Sequence, residues 1–536
     1  AQASLVQIDQ FAPQYCANLI WAYGKLGVHP GGDLLDSVAA HAASLLPAFK
    51  AREIASLLTG YANLNHLPPD STGLLRAVNQ QTVLRTRDFE EQSLANLVWS
   101  HARLNTAPNS ELLDLLVGAV RRRMLEFTPQ GVTNVVWGLA SLARYPGPEL
   151  LDGAAAQAMQ FLRTSNVPMQ VSNLMWAFGK LLHDPGDEFL LVVEGAAVRM
   201  LPDFSPQELS NTLWGFAILG RRPAALLAAM QDQLDSQMAV AAVDWTNHQS
   251  ACTAVWALAI LRAHHLPWWR RTWDHVTRFD GELEDEMKRQ IFQAWLLAES
   301  DTRAFISSAD AADLEGNATF GEKTQDISSH RLTNLTLPAW GPLLQECKEA
   351  WMERTNSNIH MSNFHIAVCN TLSRLGVRFS NEVKTEDGLF SMDIGLHPAR
   401  YSFELAPGHL VKLGTYSHIS VGVGDTTDQS TATCSSVSPD KHSNSSRAWC
   451  GMAEPSEYAT YNGLKVAIEV DGKSHFTCNT RRVLGPTLAR GRLLRARNWY
   501  VVSIPGFEWE GLNSDIEREH YMQRKLAGLG VTRRCL

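Results

Sequence analysis

Three carboxylates stand at the ends of apolar extended segments: Asp393 in FSMDIGL (Phe390–Leu396), and Glu469 and Asp471 in LKVAIEVDG (Leu464–Gly472). Oxygen ligands grouped in this way could hold Mg²⁺, and a bound ion would activate a water for phosphodiester attack. Beside them Lys473 could supply a cation and His475 a base, although a lone His after a turn is more often structural. The opposite reading of the same residues is a scaffold in which Asp471-Gly472 makes a tight turn and the carboxylates pair with nearby arginines. Those arginines are Arg481, Arg482, Arg490, Arg492, Arg495 and Arg497, clustered around PTLARGRLLRAR (Pro486–Arg497). They could neutralise phosphates, and a solvated helix face accounts for them equally well.

A second set of residues with binding chemistry recurs along the first 300 positions. Tryptophan returns at Trp99, Trp137, Trp176, Trp214, Trp256 and Trp295, with gaps of 38, 39, 38, 42 and 39. An earlier copy stands at Trp21, and the 78 residues from Trp21 to Trp99 leave room for two units, with Thr59 at the intervening Trp position. An Asn lies three before most of them: Asn18, Asn96, Asn134, Asn173 and Asn211. Aromatic faces stack on bases in single-stranded sites. A helix apolar at this many positions faces inward, however, so the tryptophans are expected to fill the core. The asparagines are likewise expected to form a buried ladder that satisfies backbone groups between units.

A fixed period of this length means stacked supersecondary units, none able to bury its apolar face alone. The clearest copy is SPQELSNTLWGFAILG (Ser205–Gly220), where Ser205 and Glu208 form a capping box, Pro206 suits the first turn and Gly220 ends the helix. A second helix follows, as in Glu111–Phe127 and Glu188–Phe204, after a recurring connector such as Pro146-Gly-Pro-Glu149 or Pro185-Gly-Asp-Glu188. Each unit is thus a helical hairpin, and 1–300 is expected to be an α-solenoid of about eight repeats of 38 residues.

The remaining chain reads differently. Small polar residues over 301–340 suggest a linker. Over 341–536, helices alternate with Val/Ile-rich strands, as in an α/β domain with a small mixed sheet. A Ser/Thr-rich stretch at 398–460 reads as a disordered insertion. The net charge of −8 argues against a polycation that coats nucleic acid in bulk, but not against a local basic stripe. Eight scattered cysteines without a CxxC pair fit a reducing compartment better than a disulfide framework. The most apolar run, Ser250 to Leu261, is too short to span a bilayer, so no membrane partner is expected. No leader is evident at Ala1, and a start without Met suggests a trimmed or partial chain.

The period near 38, the PQEL-x-N-x-x-W core and the Pro-x-x-Glu connector resemble the octotricopeptide repeats of green-algal organelle proteins, and are similar to the helical repeats of the FAST-kinase-like family. The resemblance covers roughly Phe11 to Leu297; the second copy departs by lacking Trp, and the last two carry Thr253 and Phe292 in place of Asn. The segment Ile468–Trp509, closed by EREHYMQRKL (Glu517–Leu526), resembles the RAP domain, placing that domain at 464–526. RAP domains are in turn similar to the PD-(D/E)XK nuclease superfamily. Asp393 matches its first motif strand and Glu469-Val470-Asp471 the acidic-x-Lys position, with Asp471 where the catalytic lysine usually stands. The resemblance implies sequence-specific binding of single-stranded organellar RNA, in a mitochondrion or chloroplast, for processing, stability, splicing or translation of an mRNA or rRNA. It implies no cofactor unless the nuclease-like site is active with Mg²⁺. The rival readings are a structural rRNA-binding component of an organellar ribosome, a metal-dependent RNase, and a protein-binding solenoid of the HEAT or TPR type.

Overall fold

A computed structural model describes residues 2–235, 245–314, 341–397 and 460–529, apart from 107, 246, 280, 357–360, 462 and 528. After a short α1 (Gln2–Val6), helices alternate between two layers. The inner layer comprises α2 (Pro13–Leu26), α4 (Ala51–Asn63), α6 (Glu91–Arg103), α8 (Pro129–Ser141), α10 (Pro168–Lys180), α12 (Pro206–Ile218), α14 (His248–Ile260) and α16 (Asp285–Leu314). The outer layer comprises α3 (Gly32–Leu45), α5 (Leu74–Leu84), α7 (Ser110–Arg123), α9 (Pro148–Leu162), α11 (Asp187–Arg199), α13 (Ala224–Asp235) and α15 (Pro267–Thr277). Each inner helix packs on the preceding and following inner helix, and each outer helix on its outer neighbours. The molecule is an α-solenoid followed by a small α/β unit.

Local chemistry sets each helix boundary. Ser205 accepts from the Glu208 amide while the Glu208 side chain accepts from the Ser205 amide, and at α8 the Thr128 side chain accepts from the Gly131 amide alone. At the other end, every inner helix from α2 to α14 closes six residues past its Trp position with a residue in the left-handed region. Only Gly27 and Gly220 are glycine there; Asn65, Asn105, Ala143, Leu182 and Arg262 hold φ between +50° and +56°. Paired amide bonds make the conformation worthwhile: in α8, Ala143 N donates to Ala140 O and Arg144 N to Leu139 O, a Schellman closure repeated through the array.

Small residues one position after the Trp site govern how closely the inner helices approach. Ala22, Gly60, Ser100, Gly138, Ala177, Gly215 and Ala257 occupy it. A Cβ on Gly60 would lie 2.6 Å from the carbonyl oxygen of Ile20, and one on Gly138 would lie 2.8 Å from Val98 Cγ1. Gly215 meets the Met175 carbonyl in the same way. Backbone of one repeat therefore lies directly on backbone of the next.

The α16 helix runs through Asp301 to Leu314, so the first part of the expected linker is helical; 315–340 lie outside the described residues. Next come α17 (Pro342–Asn356), α18 (Asn363–Arg374), β1 (Phe379–Lys384), β2 (Ser391–Leu396), β3 (Thr460–Tyr461) and β4 (Leu464–Asp471). The chain closes with α19 (Gly485–Arg495), β5 (Trp499–Pro505), α20 (Gly506–Trp509) and α21 (Asp515–Leu526). The expected insertion at 398–460 lies outside the described residues except for Thr460. Strand β1 pairs with β2, and β2 and β3 with β4, all antiparallel; β5 runs parallel to β4 through the α19 crossover. Ile394, Val466, Ile468, Val502 and Ile504 pack with α18 and α21, whereas Met392, Ala467, Leu493 and Leu494 share the solenoid's own core. No helix among the described residues is long and apolar enough to cross a membrane.

Candidate functional site

Two places gather the residues singled out by chemistry: the open face of the inner helices and the carboxylate end of the sheet. An inner helix touches its outer partner and two inner neighbours, which leaves one side uncovered. Residues at −7, −3, 0 and +4 relative to the Trp share that side, since these offsets fall on one face of a helix. Gln92, Gln130, Gln207 and Gln249 occupy −7 and are exposed; Lys25, Arg103 and Lys180 occupy +4 and are exposed. Between them lie the Asn and Trp positions. A cleft of about 540 Å³ runs over five consecutive inner helices, from Arg103 and Asn105 past Trp137, Trp176 and Lys180 to Gln207, Asn211, Gln249 and Thr253. No carboxylate lines it among the described residues.

This arrangement corrects the core assignment of the tryptophans in part. Trp256 is buried, and its indole nitrogen donates to Gln293 Oε1 at 2.8 Å. Trp99, Trp137, Trp176 and Trp214 are only half-buried; Trp99, Trp176 and Trp214 pack one side on the core, and Trp21 is 45% exposed. Trp137 and Trp176 lie with ring centroids 6.2 Å apart and planes inclined by 33°. The buried asparagine ladder is absent among the described residues as well. Asn18 is exposed, Asn96, Asn134, Asn173 and Asn211 are half-exposed, and Asn134 accepts from Gln130 of its own helix at 3.1 Å. The reason is that helical i→i−4 bonds already satisfy the inner backbones, which leaves no orphan groups for a ladder to serve.

At the sheet, the three carboxylates that could hold Mg²⁺ are each engaged by a protein donor. Val470 N donates to Asp393 Oδ2 at 2.6 Å, Arg490 to Glu469 Oε1 at 2.9 Å, and the Ser503 hydroxyl to Asp471, which His475 Nδ1 also approaches at 3.3 Å. Burial pushes the Glu469 carboxyl up to about 7, with Arg490 opposing the rise and Asp393 adding to it. Burial also raises Asp471, against the lowering effect of Ser503 and His475. Lys473, with 81% of its side chain exposed, pairs with Glu510 at 3.7 Å; the cation lying on the acidic strand end is Arg490.

The six arginines divide in two. Arg482 pairs with Asp184 at 3.3 Å, Arg492 with Asp301 at 3.1 Å and Arg497 with Asp387 at 2.6 Å, alongside the Arg490–Glu469 pair. Arg481 and Arg495 are exposed and lie over the rings of Phe507 and Tyr500. Arg482 and Arg492 belong to a docking seam. Cys478 N donates to Leu182 O at 2.7 Å, and Asn479 exchanges bonds with the Asp184 backbone at 2.8 and 3.0 Å. Arg492 also reaches Ile260 O at 3.0 Å, at the C-terminal end of α14.

With this geometry described, comparison with known proteins adds identity to the two regions. Residues 468–525 match the RAP domain, and residues 54–116, from α4 into α7, match FAST kinase-like protein, subdomain 1. The C-terminal unit carries a RAP domain. A curated relative, the "RAP domain-containing protein, chloroplastic" of Oryza sativa subsp. japonica, is 26% identical over 371 residues, covering 62% of this chain and 54% of its own length. The chain thus spans about half the length of that relative. The RAP match starts within β4 and ends within α21, so it takes in Glu469, Asp471 and all six arginines. Asp393 and the β1–β2 hairpin precede it.

Residue-type reasoning missed the exposed Gln and Lys/Arg positions. Their signal was in the sequence, as polar residues at −7 and +4 in the same register as the Trp.

Proposed function

We propose that the chain binds single-stranded RNA in an organelle, reading it along the open face of the inner helices and acting in post-transcriptional control. The observation that carries this reading is the cleft over α6 to α14, lined by Trp, Asn, Gln, Lys and Arg side chains and, among the described residues, by no carboxylate. Half-exposed indoles offer stacking surfaces to unpaired bases, amide side chains offer paired donors and acceptors to base edges, and Arg103 and Lys180 offer charge to phosphates. A repeat that presents one such set per helix can meet about one base each. The RAP match supports an RNA partner and the chloroplastic relative an organellar setting, in which RNP or ribosome components would be neighbours.

The test begins by crosslinking the protein in cells and sequencing the attached RNA, then measuring affinity for that RNA in vitro. Trp137→Leu and Trp176→Leu remove the stacking face, and at 176 an apolar filler stays on the core side. Each should weaken binding about 5- to 150-fold, the equivalent of 1–3 kcal/mol per stacked base. Gln207→Ala and Asn211→Ala should relax preference at one or two nucleotides. Affinity should fall linearly with salt on a log–log plot. Equal affinity for a duplex and for its separated strands would sink the reading.

A further inference from the structure

We propose that His365, Glu382 and Asp393 form a site for one divalent first-row transition ion of the Zn²⁺ type. The three residues come from α18, β1 and β2, and one ligand atom from each lies within 4.8 Å of the others. The antiparallel register pairs Asn381 with Ile394 and Val383 with Met392, so Glu382, with φ +53°, and Asp393 occupy the positions between those two pairs. Like charges facing each other across strands are destabilising unless something lies between them.

The second observation is the imidazole. His365 is 4% exposed, and its Nε2 is buried without a hydrogen-bond partner among the described residues. Its Nδ1 stands 4.0 Å from Glu382 Oε1. That gap is too long for a hydrogen bond. It suits two ligands of a common ion, because atoms bound at about 2.0–2.2 Å stand roughly 3–4 Å apart. Either ring nitrogen can ligate a metal, and coordination through Nε2 would recover the cost of burying that atom unpaired.

The surrounding bonds orient the carboxylates as outer-shell partners do. Ser391 Oγ donates to Glu382 Oε2 at 3.2 Å, leaving Oε1 towards the imidazole, and Val470 N holds Asp393 Oδ2 at 2.6 Å. One nitrogen and two carboxylates favour Zn²⁺ over Mg²⁺, which prefers an all-oxygen octahedron. Three protein ligands leave a fourth position open. This site shares Asp393 with the trio expected from sequence but replaces Glu469 and Asp471, which Arg490, Ser503 and His475 already engage.

The experiment uses the full chain, freed of metal by chelation and titrated with Zn²⁺ by calorimetry, with Co²⁺ absorption as the coordination readout. One equivalent should bind with a Co²⁺ spectrum typical of four or five ligands, and excess Mg²⁺ should not displace it. His365→Ala, Glu382→Gln and Asp393→Asn should each weaken that equivalent by more than the 10–100-fold typical of outer-shell changes. The metal-free melting temperature reports folding, and the near-isosteric Glu382→Gln variant decides the matter if His365→Ala fails to fold. Absence of a stoichiometric Zn²⁺ site overturns the proposal. So does full retention of that equivalent in Glu382→Gln and Asp393→Asn.

Discussion

At the scale of single residues, burial decides which polar groups serve structure and which face a ligand. His101 belongs to the first kind. It is buried at the end of α6, its Nδ1 lies 3.1 Å from Thr106 O, and burial lowers it from 6.5 to about 4. The imidazole is therefore neutral in the fold and donates that hydrogen bond. As pH falls below 6.5 the unfolded chain takes up the proton first, so stability present above 6.5 is lost as pH approaches 4. Full expression of the shift is on the order of 3 kcal/mol. His101→Asn places an amide donor near the same carbonyl without a titrating group. The variant should show a flatter decline of melting temperature between pH 6.5 and 4 than the parent. An unchanged slope would mean that His101 does not couple to acid unfolding. The half-exposed tryptophans fall between the two: Trp99, Trp176 and Trp214 still pack one side on the core, so composition around them reads as a core position even where the other side is open.

At the scale of elements, two positions defined by the Trp register hold the array together. The +6 position must adopt the left-handed conformation whatever its residue, and non-glycine residues there are strained by about 1–2 kcal/mol relative to the right-handed well. Ala143→Gly should therefore stabilise the protein by up to about 1 kcal/mol, measured by denaturant midpoint at constant m-value. The +1 position must be small. Gly215→Val would push a branched side chain into the Met175 backbone and should destabilise by 3 kcal/mol or so, the upper end of overpacking in a well-filled core. A neutral Gly215→Val would contradict backbone-to-backbone stacking of α10 and α12. Much of this level was legible in sequence because the signals are local: the capping box at Ser205, the proline-containing connectors, the stop at Gly220 and the period itself. What was not legible is which side of α6 to α14 stays open, since that depends on how neighbouring helices lean on one another. The junction of His365 with Glu382 and Asp393 was hidden for a similar reason. A strand register and a helix approach bring them together, and no spacing between the residues records it.

At the scale of the whole molecule, the basic segment of the RAP domain joins the two parts of the chain. Arg492 sets its guanidinium against Asp301 of α16 and the final carbonyls of α14, where the negative end of a helix dipole favours a cation. Desolvation lowers its pKa, with Asp301 opposing the shift. Gly485 completes the fit, since a Cβ at that position would collide with the Ala217 carbonyl at the end of α12. Charge in the segment is thus divided between holding the RAP domain on the solenoid and facing solvent. Arg492→Met removes the cation but leaves Asp301 and the α14 carbonyls in place. It should cost about 3–5 kcal/mol, as breaking a largely buried pair does. Arg481→Ala and Arg495→Ala touch only exposed side chains and should leave stability within about 0.5 kcal/mol. If these two contact the RNA backbone, each should reduce the salt slope of binding by about 1 without altering sequence preference. Thermal denaturation and limited proteolysis of the full chain, run beside RNA titrations at several salt concentrations, separate the two classes. An Arg492→Met chain that melts like the parent but loses RNA would move Arg492 from the seam to the ligand. An Arg495→Ala chain that unfolds early would do the reverse for Arg495, and either result would redraw the boundary between docking surface and binding surface.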